Sequence, residues 1–191
     1  VCGKDPETAA LQDLLIYAAQ GISRYAKRAQ DLGVRDREID VFILEALFTT
    51  VTNVDFDPQR VEELIRRAYQ MKEKAKNIYL SVCAQKGILS EELSGPAAWV
   101  PASNFDELVK QGEEVTLEKD IERWGESIAG AKHLIIYGLK GMAAYADHAQ
   151  ILGVEDEEIY AFFHRTLDYL ASGNFTLDEL LSRALQVGEY N

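Results

Sequence analysis

The segment LLIYAAQGISRYAKRAQDLGVRDREIDVF, which begins at Leu14, returns as LIIYGLKGMAAYADHAQILGVEDEEIYAF from Leu134. The register is constant, and roughly half of the aligned positions are identical, far above chance for a stretch of this length. Tyr17 pairs with Tyr137, Gly21 with Gly141, Tyr25 with Tyr145, Gly33 with Gly153 and Phe42 with Phe162. Further along the register slips by a few residues, yet VEELIRRAYQ from Val61 still resembles LDELLSRALQ from Leu177. Solenoid repeats have periods of about 20–50 residues. This period is much longer, so the repeated object is a domain-sized unit and the fold must accommodate two of them.

Each unit reads as three helices. Asp5-Pro6-Glu7 supplies a cap acceptor, a residue preset for the first turn and a carboxylate at the positive end of the dipole. Leu11, Leu14, Leu15, Ala18, Ile22, Tyr25, Ala29 and Leu32 follow at spacings of three and four, one apolar stripe. Gly33 stops that helix. Asp36 opens a second helix through Ile39, Phe42, Ile43, Ala46 and Leu47, and Asp57-Pro58 a third through Val61, Leu64, Ile65, Ala68, Ala75 and Val82 towards Gly87. Short connections make sequential helices antiparallel neighbours. The second unit repeats the scheme: a long helix through Leu134–Leu152, a stop at Gly153, Asp156 opening the next, and a last helix from about Thr176 to Gly188. No stretch alternates with period two for long enough to make a sheet. The fold class is all-α: two tandem, internally duplicated three-helix bundles over 1–87 and 126–191. They are joined by a partly irregular linker, 88–125, in which only Asn104–Gly112 looks helical. That linker is expected to pack across both units through Trp99, Phe105 and Trp124.

Composition narrows the function. The chain has 191 residues with 20 basic against 32 acidic, a net charge of −12, and 47% hydrophobic residues. A folded protein with so acidic a surface repels phosphate backbones and anionic lipid, so neither nucleic acid nor membrane is an expected partner. No apolar run reaches the ~18–20 residues of a membrane span, and the expected location is the cytoplasm. The two cysteines, Cys2 and Cys83, make neither a disulfide framework nor a complete zinc site. The residues three before His133, His148 and His164 are Gly130, Tyr145 and Ala161, so the Glu-x-x-His pairs of a carboxylate-bridged metal site are missing. The histidines are therefore expected at the surface or edge. Glu62-Glu63, Glu91-Glu92, Glu113-Glu114 and Glu157-Glu158 read as solvated faces. The repeated tyrosines read as core or interface residues, the repeated mid-helix Gly21 and Gly141 as places of close helix approach, and Cys83 as an inert buried thiol. No catalytic residue is assigned.

Three separated motifs, VCGKDPETAALQDLLIY from Val1, EALFTTVTNVDFD from Glu45 and LIIYGLKGMAAYADHA from Leu134, together resemble the helical N-terminal domain of the hybrid-cluster protein family, also called hydroxylamine reductases or prismane proteins. The resemblance covers essentially the whole chain. It implies two three-helix bundles, also found in the related carbon monoxide dehydrogenases. It also implies a parent enzyme that reduces hydroxylamine to ammonia and water, with nitric oxide reduction ascribed to the family too. In the family four cysteines near the N-terminus hold an iron–sulfur cluster, 4Fe-4S or in some members 2Fe-2S. Cys2, in its Val-Cys-Gly-Lys setting, matches the last of them and is the one metal-binding position that carries over. The other three would lie upstream of Val1. The ligands of the hybrid iron–sulfur–oxygen cluster belong to two α/β domains that would follow Asn191. The expectation is therefore a piece of a larger enzyme, inactive and without a cofactor by itself. Its partners would be the remaining domains of that enzyme, an electron donor the resemblance does not name and, in a homo-oligomer, further copies of the chain. The alternative is a stand-alone helical scaffold or assembly module without redox activity.

Overall fold

The structure, a computed structural model, describes residues 3–191. Its elements are α1 (Pro6–Asp31), α2 (Arg37–Thr49), α3 (Pro58–Lys86), a 3-10 turn at Gly95–Ala97, α4 (Phe105–Glu113), α5 (Leu117–Trp124), α6 (Glu126–Ile151), α7 (Glu157–Ala171) and α8 (Leu177–Tyr190). The all-α expectation holds, and no strand occurs among the described residues.

The sequence signals act where they were expected. Asp5 accepts the Thr8 N–H at 2.7 Å, Asp36 the Ile39 N–H at 3.1 Å and Asp156 the Glu158 N–H at 2.8 Å. Thr176 and Glu179 form a reciprocal capping box at the start of α8. Each such cap contributes about 1 kcal/mol by pairing an otherwise orphaned amide. After α1 and again after α6, a glycine takes the left-handed conformation, Gly33 at φ 86° and Gly153 at φ 82°. Beyond each, the valine N–H reaches back into the helix, Val34 to Ala29 O and Val154 to Ala149 O, both at 2.9 Å. The linker holds one helix more than its sequence suggested. Leu117–Trp124 is too short for a periodic signal, and Thr116 makes no side-chain cap there.

Packing interlocks the two repeats. Within a repeat the first helix lies along the third, α1 on α3 and α6 on α8. The second helix of each repeat, however, packs on the first helix of the other, α7 on α1 and α2 on α6. The exchange is reciprocal, as a twofold relation between the copies requires. One continuous core results, running from Leu11, Leu15 and Phe42 through Ile65 to Ile135, Phe162 and Leu167. The linker serves both halves: α4 and the 3-10 turn lie on α1, and α5 lies on α6. Its aromatics divide accordingly. Trp99 meets Tyr17 edge-on with ring centroids 6.4 Å apart, and Trp124 packs on Phe175 at 5.3 Å.

Candidate functional site

Cys2, the one position carried over from the family resemblance, lies outside the described residues. Cys83 is buried and free, as its place on the apolar side of α3 suggested. Among the described residues no group of three or more His, Cys, Asp or Glu side chains is placed to hold a metal ion. One thiol in an apolar core is not the donor set of an iron–sulfur cluster, which needs several converging thiolates. The described residues therefore do not fit that group, and no chemistry is derived through it.

Two polar constellations lie between the repeats, and two of the three histidines, His133 and His164, belong to them. This corrects the expectation that all three sit at the surface or edge. His148 does, with its ring edge-on to Phe48 at 5.4 Å. His164 is fully buried on α7. Its Nδ1 is 3.0 Å from Ser23 Oγ on α1, and its Nε2 is 2.9 Å from Asp40 Oδ1 on α2. Arg35 donates to the other Asp40 oxygen at 3.1 Å and pairs with Glu157 at 2.9 Å. Ser, His and Asp match a hydrolytic triad in composition only. The hydroxyl and carboxylate sit on the ring nitrogens opposite to those of a serine-protease triad, and Ser23 has no solvent exposure at which a substrate could arrive. The network satisfies buried polar groups and ties three helices from two repeats together. The repeat register carried the signal for it: His164 aligns with Leu44 and Asp40 with Tyr160, both core positions.

The second constellation lines a cavity of about 180 Å³. From α1 come Asp13, Ile16, Tyr17 and Gln20; from α5, Asp120, Arg123 and Trp124; from α6, Lys132, His133 and Ile136. Gly95 and Pro96 of the linker turn and the end of α7 complete the wall. Asp120 is almost fully buried and shares Oδ2 between Lys132 Nζ at 2.6 Å and His133 Nε2 at 2.9 Å. Burial opposes its charge, but those two partners hold its carboxyl below the usual range. Burial also pushes the Lys132 ammonium down. Asp13 forms no ion pair or hydrogen bond among the described residues, and burial pushes its carboxyl up to about 6 against the pull of Lys140 and His133. Lys140 donates to Thr50 O at 3.1 Å; burial brings it down to about 8 although Asp13 draws it the other way. The adjacent glutamate pairs, by contrast, lie on the outside as expected, several of them paired with arginines, such as Glu62 with Arg66 at 2.6 Å.

Fold and site define a duplicated, interlocked all-α domain with a polar cavity between its repeats and, among the described residues, no metal centre. The profile of the Prismane/CO dehydrogenase family matches residues 1–191, and the chain belongs to that family. Among its relatives, a hydroxylamine reductase of Geobacter sulfurreducens is 47% identical over 193 residues, spanning 100% of this chain and 35% of that protein. One from Acidithiobacillus ferrooxidans is 45% identical over 190 residues, with 100% of this chain and 34% of the other covered. One from Rhodospirillum rubrum is 47% identical over 188 residues, with 98% and 34% covered. The chain thus spans about a third of the length of these relatives. No helix of the described residues is long and apolar enough to cross a membrane.

Proposed function

We propose that this chain is the helical domain of a cytoplasmic hydroxylamine reductase and has no turnover by itself. The parent enzyme would reduce hydroxylamine to ammonia and water, and nitric oxide as well, through iron–sulfur clusters carried mainly by other domains. Cys2 would be the last ligand of the N-terminal cluster, 4Fe-4S or 2Fe-2S. Residues 1–87 and 126–191 would be its two bundle units, with 88–125 as the connector. The domain would cover the catalytic domains and help to hold the electron-entry cluster close to them.

The observation that carries this reading is an apolar face on the second repeat in a chain a third as long as its relatives. Leu134 is 56% exposed and Tyr145 76%, whereas their equivalents Leu14 and Tyr25 are 0% and 5%. Leu152, Val154, Leu181 and Leu185 extend the exposed surface. Leu134, Tyr137, Tyr145 and Leu152 recur at helical spacing on one face of α6 and its C-cap. An exposed apolar face supports an interaction surface, for which the remaining domains of the parent are the partner the comparisons favour. The test is to reconstitute the purified chain with iron and sulfide and assay hydroxylamine reduction with a reduced dye. The expected result is no turnover above the buffer rate. Turnover would show that catalysis resides in this chain.

A stand-alone scaffold is the second reading, favoured by the single continuous core and the caps and stops of both repeats. Coding sequence for a cysteine-rich leader before Val1 and for α/β domains after Asn191 would eliminate it. A stop codon after Asn191 would establish it instead.

A further inference from the structure

The cavity between the repeats has chemistry that neither reading uses. Its walls include equivalent positions of the duplicated first helices: Asp13 aligns with His133 and Ile16 with Ile136. Around it, Gln20 aligns with Lys140 and Gln12 with Lys132. The two isoleucines are the same in both copies, while each of the polar pairs has diverged. A cavity straddling two copies of one helix would have like walls; here one wall carries an acid and the other an imidazole.

Three polar groups on one stripe of α1 are left open towards this space. Asp13, Tyr17 and Gln20 stand at spacings of four and three, about one helical turn apart. Gln20 is only 4% exposed, yet its amide has no hydrogen-bond partner among the described residues. The Tyr17 hydroxyl and the Asp13 carboxylate have none either. The Gln20 amide atoms are not among the fully enclosed side-chain atoms without a partner, so solvent in the cavity reaches them and a ligand there would take that solvent's place. Opposite them, Lys132 and His133 are spent on Asp120. The Arg123 guanidinium pairs with no carboxylate among the described residues and makes one long bond, 3.4 Å, to Glu114 O. At ~30 Å³ per water the space holds about six waters, or one small molecule of about that many heavy atoms.

We propose that this cavity binds a small zwitterion, an ammonium and a carboxylate on one short carbon chain of the size of alanine. The ammonium donates to Asp13 and the Tyr17 hydroxyl, and the Gln20 amide, about two helical turns from Asp13, serves the carboxylate end. The carboxylate is received by Arg123. Lys140 and Glu118 flank the Asp13 end with opposite charges, so the ligand brings a balanced pair of charges to a balanced site. The assignment is independent of the reading of the domain as part of a reductase.

The test is calorimetric titration of the purified chain with L-alanine, with methylammonium and acetate as ligands that carry one end each, and with hydroxylamine. The Gln20 side-chain amide resonances are followed by NMR in parallel. L-alanine is expected to bind saturably and shift those resonances, with each half-ligand at least tenfold weaker. Asp13→Asn, which keeps shape, and Arg123→Gln, which keeps polarity but removes the charge, should each weaken alanine at least tenfold while the far-ultraviolet dichroism stays unchanged. Gln20→Leu is a third variant, expected to weaken it too, should either of those fail to fold. No response to alanine overturns the proposal, as does equal binding of a half-ligand, tighter binding of hydroxylamine, or variants that bind as the parent chain does.

Discussion

The two repeats share a sequence pattern and differ in what covers them. In the first, α1 lies under α3, α4, the 3-10 turn and α7; in the second, α6 is covered mainly by α8, α2 and α5. The third helices account for much of the difference, since α3 runs for 29 residues and α8 for 14. Equivalent residues therefore have opposite fates. Tyr25 is packed 6.3 Å from Tyr79 of α3, while Tyr145 stands in solvent. A hydrophobic pattern states which residues can be buried, and only the neighbours decide which of them are. The same leucine in the same register is core in one copy and surface in the other.

That contrast predicts its own largest effect. Leu14→Ala removes a fully buried side chain and should cost about 3–4 kcal/mol in a urea unfolding experiment. Leu134→Ala, at the equivalent position, should change stability by less than about 0.5 kcal/mol. Similar losses for the two would mean that the α6 face is covered in solution, by a second copy for instance. Sedimentation of the two variants would show it.

The next largest effect concerns the interlock. His164→Leu makes the second repeat match the first at Leu44, but it leaves Asp40 and Ser23 buried with a partner removed. The expected cost is about 3 kcal/mol, from the Asp40 oxygen that loses its donor above all, since Arg35 pairs only the other one. Adding Asp40→Asn to that variant should restore part of it, because the buried charge is gone. A double variant as unstable as the sum of the singles would show that the two residues do not act together.

What was legible in the sequence follows from range. Caps, glycine stops and helix faces depend on residues three or four apart, and Asp5, Asp36, Asp57, Gly33 and Gly153 announced them plainly. The exchange of α2 and α7 between repeats depends on partners more than a hundred residues away, which periodicity does not encode. His164 shows the cost of reading one copy without the other: alone it resembles any surface histidine, whereas its alignment with Leu44 points to the core. The cavity was less accessible still. Asp13, Tyr17 and Gln20 look like the polar edge of an amphipathic helix, and only the arrival of α5, a helix of eight residues, closes a wall opposite them.

A smaller effect separates the two repeated glycines, and here the expectation of equivalent close approaches is corrected. A Cβ on Gly21 would lie 2.3 Å from the Pro96 carbonyl oxygen, so it is the linker turn, not another helix, that needs the gap. On Gly141 the nearest neighbour would be Asn191 Nδ2 at 3.7 Å, an ordinary contact. Gly21→Ala should therefore destabilise by about 2 kcal/mol as backbone is displaced. Gly141→Ala should stabilise by about 0.5–1 kcal/mol, the gain of alanine over glycine inside a helix. Thermal unfolding of both variants checks the signs, and a loss at Gly141 would put a neighbour against it that the isolated chain does not show.

The smallest difference is one of pH, and it lies where the copies diverge, at Asp13 and Lys140. Asp13 has its carboxyl raised to about 6, so the folded state binds its proton more tightly than the unfolded chain does. Below about pH 4 both states are protonated and nothing is lost. As pH rises from about 4 to 6 the unfolded chain releases the proton first, and stability falls by about 2 kcal/mol once partial solvent screening is allowed for. Lys140, lowered to about 8, acts in the opposite sense: its penalty is complete below about 8 and is relieved as pH rises towards its ordinary value above 10. The two together place a shallow minimum of their joint contribution between about pH 6 and 8. Asp13→Asn should flatten the acid side of that minimum and leave the alkaline side sloping, as measured by urea midpoints between pH 4 and 10. An unchanged acid limb in Asp13→Asn would show that the carboxylate is solvated in the cavity, and would move the origin of the slope to another carboxyl group.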